Sequence, residues 1–60
     1  MDNNIIAKAI AEVRKTGKVN MFDRRNVVDV MQNLGYYEEA EYIIDNKDKY
    51  IDLLNLSSNY

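Results

Sequence analysis

Apolar residues recur at spacings of three and four along most of the chain, the pattern of helices that bury one face. Four stretches show this pattern, separated by glycine or by short polar segments. It predicts helices over residues 3–16, 21–34, 37–45 and 47–56. The chain offers no pair of alternating segments that could form a sheet. We therefore predict an all-α fold, a compact bundle of three to four short helices in a single domain over residues 1–60.

The first helix is the most clearly marked of the four. Its apolar stripe consists of Ile5, Ile6, Ala9, Ile10 and Val13. A side-chain oxygen of Asp2, Asn3 or Asn4 can cap its first turn. Gly17 follows the last periodic residue, where a left-handed conformation commonly ends a helix.

The second helix has two possible starts. Asn20 can cap it, with Asp23 three residues later as in a capping box, or Asp23 can itself be the cap. We adopt the earlier start, at residue 21. β-branched valines would also suit a short strand, but the flanking caps favour a helix. The stripe is formed by Val27, Val28, Val30, Met31 and Leu34. Gly35 is expected to end the helix with a positive φ.

The last two stretches form either one bent helix or two short ones. The third places Tyr36, Ala40, Ile43 and Ile44 on one side. Asp45 and Asn46 then interrupt the pattern, and for this reason we predict two helices. The fourth turns inward Tyr50, Ile51, Leu53 and Leu54. Ser57 to Tyr60 are expected to form a frayed tail.

The size of the chain points to association. A domain of 60 residues buries only about 60% of the surface of its unfolded chain. Cysteine and histidine are absent, which excludes the disulfides and common zinc sites that often support so small a core. We therefore predict a homodimer or higher homo-oligomer. The short apolar runs and the absence of a signal peptide predict a cytoplasmic protein with no membrane partner.

The composition also argues against catalysis. General acid–base and nucleophilic sites depend on His, Cys or a carboxylate enclosed in a pocket that excludes water, and this core is too thin to form one. We expect no enzymatic activity and no cofactor. Residues 45–52 are rich in carboxylates but lack the central glycine and final glutamate of a calcium-binding EF-hand loop. A helix junction is the favoured interpretation of that segment.

Charge is distributed unevenly along the chain. Residues 1–28 contain six Lys and Arg against three Asp and Glu, whereas residues 29–60 contain two against seven. If the asymmetry survives folding, it favours antiparallel self-association or binding of a basic partner to the second half. An ordinary solvated surface is the alternative. The candidate partner-binding residues are Tyr37, Glu38, Glu39, Glu41 and Tyr42. Core packing explains the two tyrosines equally well.

A DNA-binding helix-turn-helix is the competing hypothesis. Residues 27–44 form a predicted helix, a glycine turn and a second helix, and Arg24 and Arg25 precede them. The would-be recognition helix, however, carries three glutamates, which phosphates repel. These charges argue against nucleic acid as the partner.

One further set of residues spans most of 5–54 and comprises Thr16-Gly17-Lys18-Val19-Asn20-Met21-Phe22-Asp23, Val27, Gly35-Tyr36-Tyr37, Tyr42-Ile43 and Tyr50. It resembles a family of short uncharacterised proteins encoded by phages and prophages of Gram-positive bacteria, and the T-G-x-x-N-M-F-D run is its most specific part. The resemblance implies a viral accessory protein in the host cytoplasm. By analogy of size and origin, we expect a homodimer that inhibits a bacterial host protein, in particular a defence protein, by occlusion. A virion component is a third hypothesis.

Overall fold

The computed structural model describes residues 1–60 and contains helices and turns but no strand. The helices are α1 (Asn3–Lys15), α2 (Arg24–Asn33), α3 (Tyr37–Asp45) and α4 (Tyr50–Ser57), with a 3-10 turn at Lys47–Lys49. α1 packs most extensively on α4, and α2 packs on α3. The predicted all-α fold of short helices is confirmed. None of the helices combines the length and the apolar sequence needed to cross a membrane.

The ends of α1 follow local chemistry. The carboxylate of Asp2 accepts a hydrogen bond from the backbone N–H of Asn4 at 2.8 Å and caps the helix. After Lys15 the chain turns at Thr16, and Gly17 adopts a φ of +71°. This is the left-handed conformation predicted for Gly17, and it directs the chain back toward α2.

The start of α2 lies at Arg24, so the predicted start at residue 21 is wrong. The side-chain oxygen of Asn20 accepts from the N–H of Phe22 at 3.0 Å, and the Asn20 carbonyl accepts from the N–H of Asp23 at 2.9 Å. Asn20 therefore closes a tight turn rather than capping a helix. Asp23 is the cap, because its carboxylate accepts from the N–H of Asn26 at 3.3 Å.

A glycine turn joins α2 to α3. The N–H of Gly35 donates to the carbonyl of Gln32 at 3.0 Å, and the N–H of Tyr36 donates to the carbonyl of Met31 at 2.8 Å. This pair of bonds is the Schellman arrangement, which requires a positive φ at the residue after the cap. Gly35 has a φ of +91°, which confirms the prediction.

The junction at Asn46 separates α3 from the 3-10 turn and α4, so the prediction of two short helices is confirmed. Asn46 leaves helical geometry with a φ of −127° and a ψ of 50°. Its backbone and side-chain nitrogens both donate to the carbonyl of Tyr42, at 2.9 and 3.0 Å. Asn46 thus provides two hydrogen-bond donors to a carbonyl group in the last turn of α3. Its non-helical backbone changes the direction of the chain.

The core is one cluster to which every helix contributes a stripe. It comprises Ile6, Ala9, Ile10, Val13, Val27, Val28, Met31, Ala40, Ile43, Tyr50 and Leu53. Four residues that the periodicity assigned to buried stripes are 43–52% exposed, namely Ile5, Leu34, Ile44 and Ile51. They lie at the edges of their stripes, and a domain this small has no further element to cover those edges.

The predicted frayed tail is wrong, because the end of α4 is fastened to α1. Ser57 is fully buried. Two guanidinium nitrogens of Arg14 donate to the Ser57 hydroxyl and to its carbonyl, each at 3.0 Å. Farther along, the Tyr60 hydroxyl donates to the side-chain oxygen of Asn4 at 2.9 Å, and the ammonium of Lys8 lies 5.4 Å from the centre of the Tyr60 ring.

We expect Gly35→Ala to lower the free energy of unfolding by about 1–2 kcal/mol, the strain of placing an L-residue in the left-handed region. No atom lies within 4 Å of the position that the alanine methyl group would occupy, so the loss is purely conformational. Urea unfolding followed by circular dichroism measures it. Gly35→Asn, which tolerates positive φ better, serves as the matched control and should lose less. Equal stability of wild type and Gly35→Ala would contradict the assignment.

Arg14→Ala should lower the free energy of unfolding by about 1–2 kcal/mol, because both hydrogen bonds from a charged donor to buried Ser57 are lost. Lys15→Ala is the matched control. Lys15 pairs with Glu12 at 3.3 Å, but both side chains are about half exposed, so its removal should change stability by less than about 0.5 kcal/mol. Thermal and urea unfolding distinguish the two. Equal effects would mean that Arg14 does not hold the end of α4.

Candidate functional site

Three of the five predicted partner-binding residues lie together on the exposed side of α3, namely Tyr37, Glu38 and Glu41. Ala40 and Ile43 are fully buried and fix which side of α3 faces the core. The opposite side, here called the α3 outer face, consists of Tyr37, Glu38, Glu41, Ile44 and Asp45, all exposed. The helix therefore presents a continuous surface that makes no contribution to the core.

Two apolar side chains lie on the α3 outer face. Tyr37 is 67% exposed and Ile44 is 43% exposed. They are seven residues apart, with Glu41 between them at the i+4 position, so all three share one side of the helix. Apolar anchors at this spacing are typical of helices that bind in a groove on another protein.

The other predicted residues of the site lie elsewhere on α3. Glu39 and Tyr42 are both half-buried. The ring of Tyr42 packs against the core cluster, and its carbonyl accepts the two hydrogen bonds from Asn46. Core packing, the alternative left open for the tyrosines, therefore applies to Tyr42. Tyr37 is the tyrosine that is free to act as an anchor.

The charge of α3 is entirely negative. The helix contains Glu38, Glu39, Glu41 and Asp45 and no lysine or arginine. None of the four carboxylates forms a salt bridge, since the ion pair of the protein joins Lys15 to Glu12. Glu38 and Glu39 lie in the first turn, where the helix dipole favours a negative charge. The α3 outer face is thus an uncompensated acidic surface with two apolar anchors.

A second exposed feature escaped the sequence analysis. Phe22 is 79% exposed, more than any other large apolar residue. The periodicity placed it inside the second helix, whereas it lies in the tight turn of residues 20–23, here called the Phe22 turn. The alternative cap at Asp23 was the signal that could have found it, because a helix starting at Arg24 leaves Phe22 outside.

An open groove runs between the end of α1 and the turn that joins α2 to α3. Its volume is about 300 Å³. It is lined by Glu12, Lys15, Thr16, Leu34 and Tyr36, and is here called the Leu34 groove. Leu34 is 47% exposed and provides apolar surface at the groove. The charged side chains that line it, Lys15 and Glu12, are paired with each other.

The exposed features consist of carboxylate, aromatic and aliphatic side chains. No group of three or more Asp or Glu side chains is arranged to hold a metal ion. Every buried side-chain nitrogen or oxygen has a hydrogen-bond partner. The carboxylates on α3 face solvent and not a cavity.

The fold and the exposed surfaces define a small all-α domain with an acidic, partly apolar helix face. The chain belongs to the family described as a domain of unknown function, DUF5049, whose family model matches residues 1–54. No curated protein and no solved structure matches the chain. The family match includes the α3 outer face, the Phe22 turn and the Leu34 groove, and ends before Ser57.

Tyr50 connects the start of α4 to the Phe22 turn. Its side chain is 3% exposed, and its hydroxyl donates to the carbonyl of Met21 at 2.6 Å. Burial raises the pKa of Tyr50 from 10.0 to about 12, although the nearby Arg24 opposes the shift. The folded state thus favours the protonated phenol, the form that can donate to Met21.

The raised pKa of Tyr50 predicts a loss of stability at alkaline pH. Between pH 10 and 12 the unfolded chain releases the Tyr50 proton while the folded chain retains it, so the stabilisation present below pH 10 is lost as pH rises. The loss should be on the order of 2 kcal/mol. Urea unfolding at several pH values measures it. Tyr50→Phe should be less stable at pH 7 and should lose less between pH 10 and 12; a parallel decline in both proteins would contradict the prediction.

Proposed function

We propose that this chain is a protein-binding module that uses the α3 outer face to occlude a basic surface of a bacterial host protein. The observation that carries the proposal is the combination, on one exposed helix side, of Tyr37 and Ile44 with Glu38, Glu41 and Asp45. A surface of this kind has the aromatic anchor and the charge complementarity that protein interfaces use. Because the family has no known function, we infer the kind of partner from the chemistry of the α3 outer face.

Aromatic and charged residues should make different contributions at such an interface. A tyrosine ring that becomes fully desolvated lengthens the lifetime of a complex, whereas exposed carboxylates mainly accelerate association with a basic partner. Tyr37 supplies the first property and Glu38 with Glu41 the second. The partner surface therefore combines an apolar pocket with surrounding Lys or Arg.

Occlusion is the mechanism that suits a domain of this size. The extents of the chain are 24 × 21 × 18 Å, comparable to the width of a typical interface patch. Bound through α3, the domain would cover the basic surface and prevent its use by another ligand. The resemblance to phage and prophage proteins supports a host protein, including a defence protein, as the target.

DNA binding is the second candidate function, supported by Arg24 and Arg25 at the start of α2. In a helix-turn-helix, α3 would occupy the position of the recognition helix. Its outer face carries carboxylates and no cation, which opposes contact with phosphates. Retention of the wild-type chain on immobilised DNA that falls with salt, and that Arg24→Ala/Arg25→Ala abolishes, would favour this alternative.

The proposal predicts distinct kinetic effects for two sets of variants. The partner is first isolated from a Gram-positive host lysate with the wild-type chain as bait and identified by mass spectrometry. In surface plasmon resonance with the purified partner, Glu38→Lys/Glu41→Lys should slow association about tenfold at low salt and flatten its salt dependence. Tyr37→Ala should accelerate dissociation about tenfold or more.

Matched controls place the same changes away from α3. Asp48→Lys/Asp52→Lys alters the net charge equally, and Ile51→Ala removes an apolar side chain that is 52% exposed. Both should bind with nearly wild-type kinetics. If the α3 variants bind normally while Arg25→Glu abolishes binding, the contact lies on the basic first half of the chain and the proposal is wrong.

A further inference from the structure

Phe22 is held in an exposed position by hydrogen bonds on both sides. Its N–H donates to the side chain of Asn20, and the carbonyl of the preceding Met21 accepts from the buried Tyr50 hydroxyl. The following residue, Asp23, is fixed as the cap of α2. The backbone that carries the ring is therefore preorganised, so a partner that buries the ring loses little conformational entropy in ordering it.

Two arginines next to Phe22 are not explained by the stability of α2. Arg24 and Arg25 form its first turn, which contains no acidic residue. Cations at the positive end of the helix dipole are locally unfavourable. Residues that break a local rule without a structural gain are common at functional surfaces. The Phe22 turn thus presents an exposed aromatic side chain, followed by a half-buried Arg24 and an exposed Arg25.

The Leu34 groove has the complementary properties. Its volume of about 300 Å³ exceeds the roughly 150 Å³ that accommodates a benzene-sized ring. Leu34 and Tyr36 give it apolar surface, and Glu12 contributes a carboxylate. Glu39 follows Tyr36 by three residues, on the same side of α3. Because Glu12 is paired with Lys15, Glu39 is the carboxylate of this region that no ion pair neutralises.

We propose that a second copy of this chain binds here, with Phe22 of each copy inserted into the Leu34 groove of the other. Arg24 and Arg25 then approach Glu12 and Glu39 across the contact. This interaction is separate from the α3 outer face and goes beyond the proposed binding of a host protein.

A reciprocal contact, in which Phe22 of each copy enters the groove of the other, corresponds to a closed two-fold dimer. Thr16 lines the groove and Phe22 follows it by six residues, so one short segment joins the two features. An interface in which the same patch serves both copies closes on itself and does not propagate into a filament. The total surface of the chain is 3913 Å². A standard interface of about 800 Å² per partner would use roughly a fifth of it.

The first experiment measures self-association by sedimentation equilibrium from about 1 to 500 μM, a range that spans weak and moderate dimers. The wild-type chain should form a dimer. Phe22→Ala and Leu34→Lys should each weaken dimerisation by about tenfold or more. Both side chains are exposed, and lysine suits the C-terminal end of α2, so both variants should fold. A wild-type chain that is monomeric throughout, or variants with unchanged dimerisation, would overturn the proposal.

The second experiment tests whether Phe22 and the groove contact each other. Phe22→Ala keeps an intact groove and Leu34→Lys keeps an intact Phe22, so a mixture of the two regains one of the two contacts. ¹⁵N-labelled Phe22→Ala titrated with unlabelled Leu34→Lys should show NMR shifts at Thr16, Leu34 and Tyr36. Titration with the unlabelled double variant Phe22→Ala/Leu34→Lys should show none. Absence of shifts in the first mixture contradicts the pairing.

Two controls distinguish this contact from other surfaces. Tyr37→Ala and Ile51→Lys alter residues that are 67% and 52% exposed, comparable to Phe22 and Leu34. Both should dimerise as the wild type does. Loss of dimerisation in Tyr37→Ala with retention in Phe22→Ala would place self-association on α3 and overturn the proposal, whatever the outcome of the host-protein experiment.

Discussion

The burial of α1 is the constraint on which the rest of the fold depends. This helix supplies six of the fourteen buried residues, namely Ile6, Ala7, Ala9, Ile10, Ala11 and Val13. Three of them are alanines, whose short side chains let neighbouring helices approach closely on more than one side. α4, α2 and α3 all pack on α1, so each needs to bury only one narrow stripe. The same arrangement leaves the outer sides of those helices uncovered.

Local signals predicted the parts of the fold that depend on one or two residues. The glycines at 17 and 35 and the polar break at Asn46 marked helix ends correctly, because positive φ and side-chain capping are properties of single positions. The start of α2 was ambiguous because Asn20 and Asp23 are both good caps. Only the turn closed by Asn20 decides between them.

Features that depend on distant contacts could not be derived from periodicity. Ser57 lies in a polar stretch that resembles a frayed end, yet Arg14, 43 residues earlier, holds it in place. Exposure of Ile51 follows from the absence of a covering element, which no local pattern records. The acidic character of α3 follows directly from its sequence. The exposure of Tyr37 and the half-buried position of Tyr42, in contrast, depend on how α3 packs against the core, which the sequence pattern did not reveal.

The two proposed binding surfaces differ in charge. The dimer contact uses the arginines that follow the Phe22 turn, whereas the α3 outer face uses carboxylates to bind a basic partner. Arg24 and Arg25 would be neutralised within the dimer, whereas the carboxylates of the α3 outer face would remain free. Dimerisation would thereby cover equal numbers of positive and negative charges and leave the α3 outer faces as acidic surfaces of the dimer. It would also double the number of α3 outer faces. A host protein with two basic patches would then be bound at both, and the second contact would form at the high effective concentration set by the rigid dimer. A dimer of this small domain would therefore cover a larger area of the host protein and form a longer-lived complex than a single copy, although neither interface becomes larger.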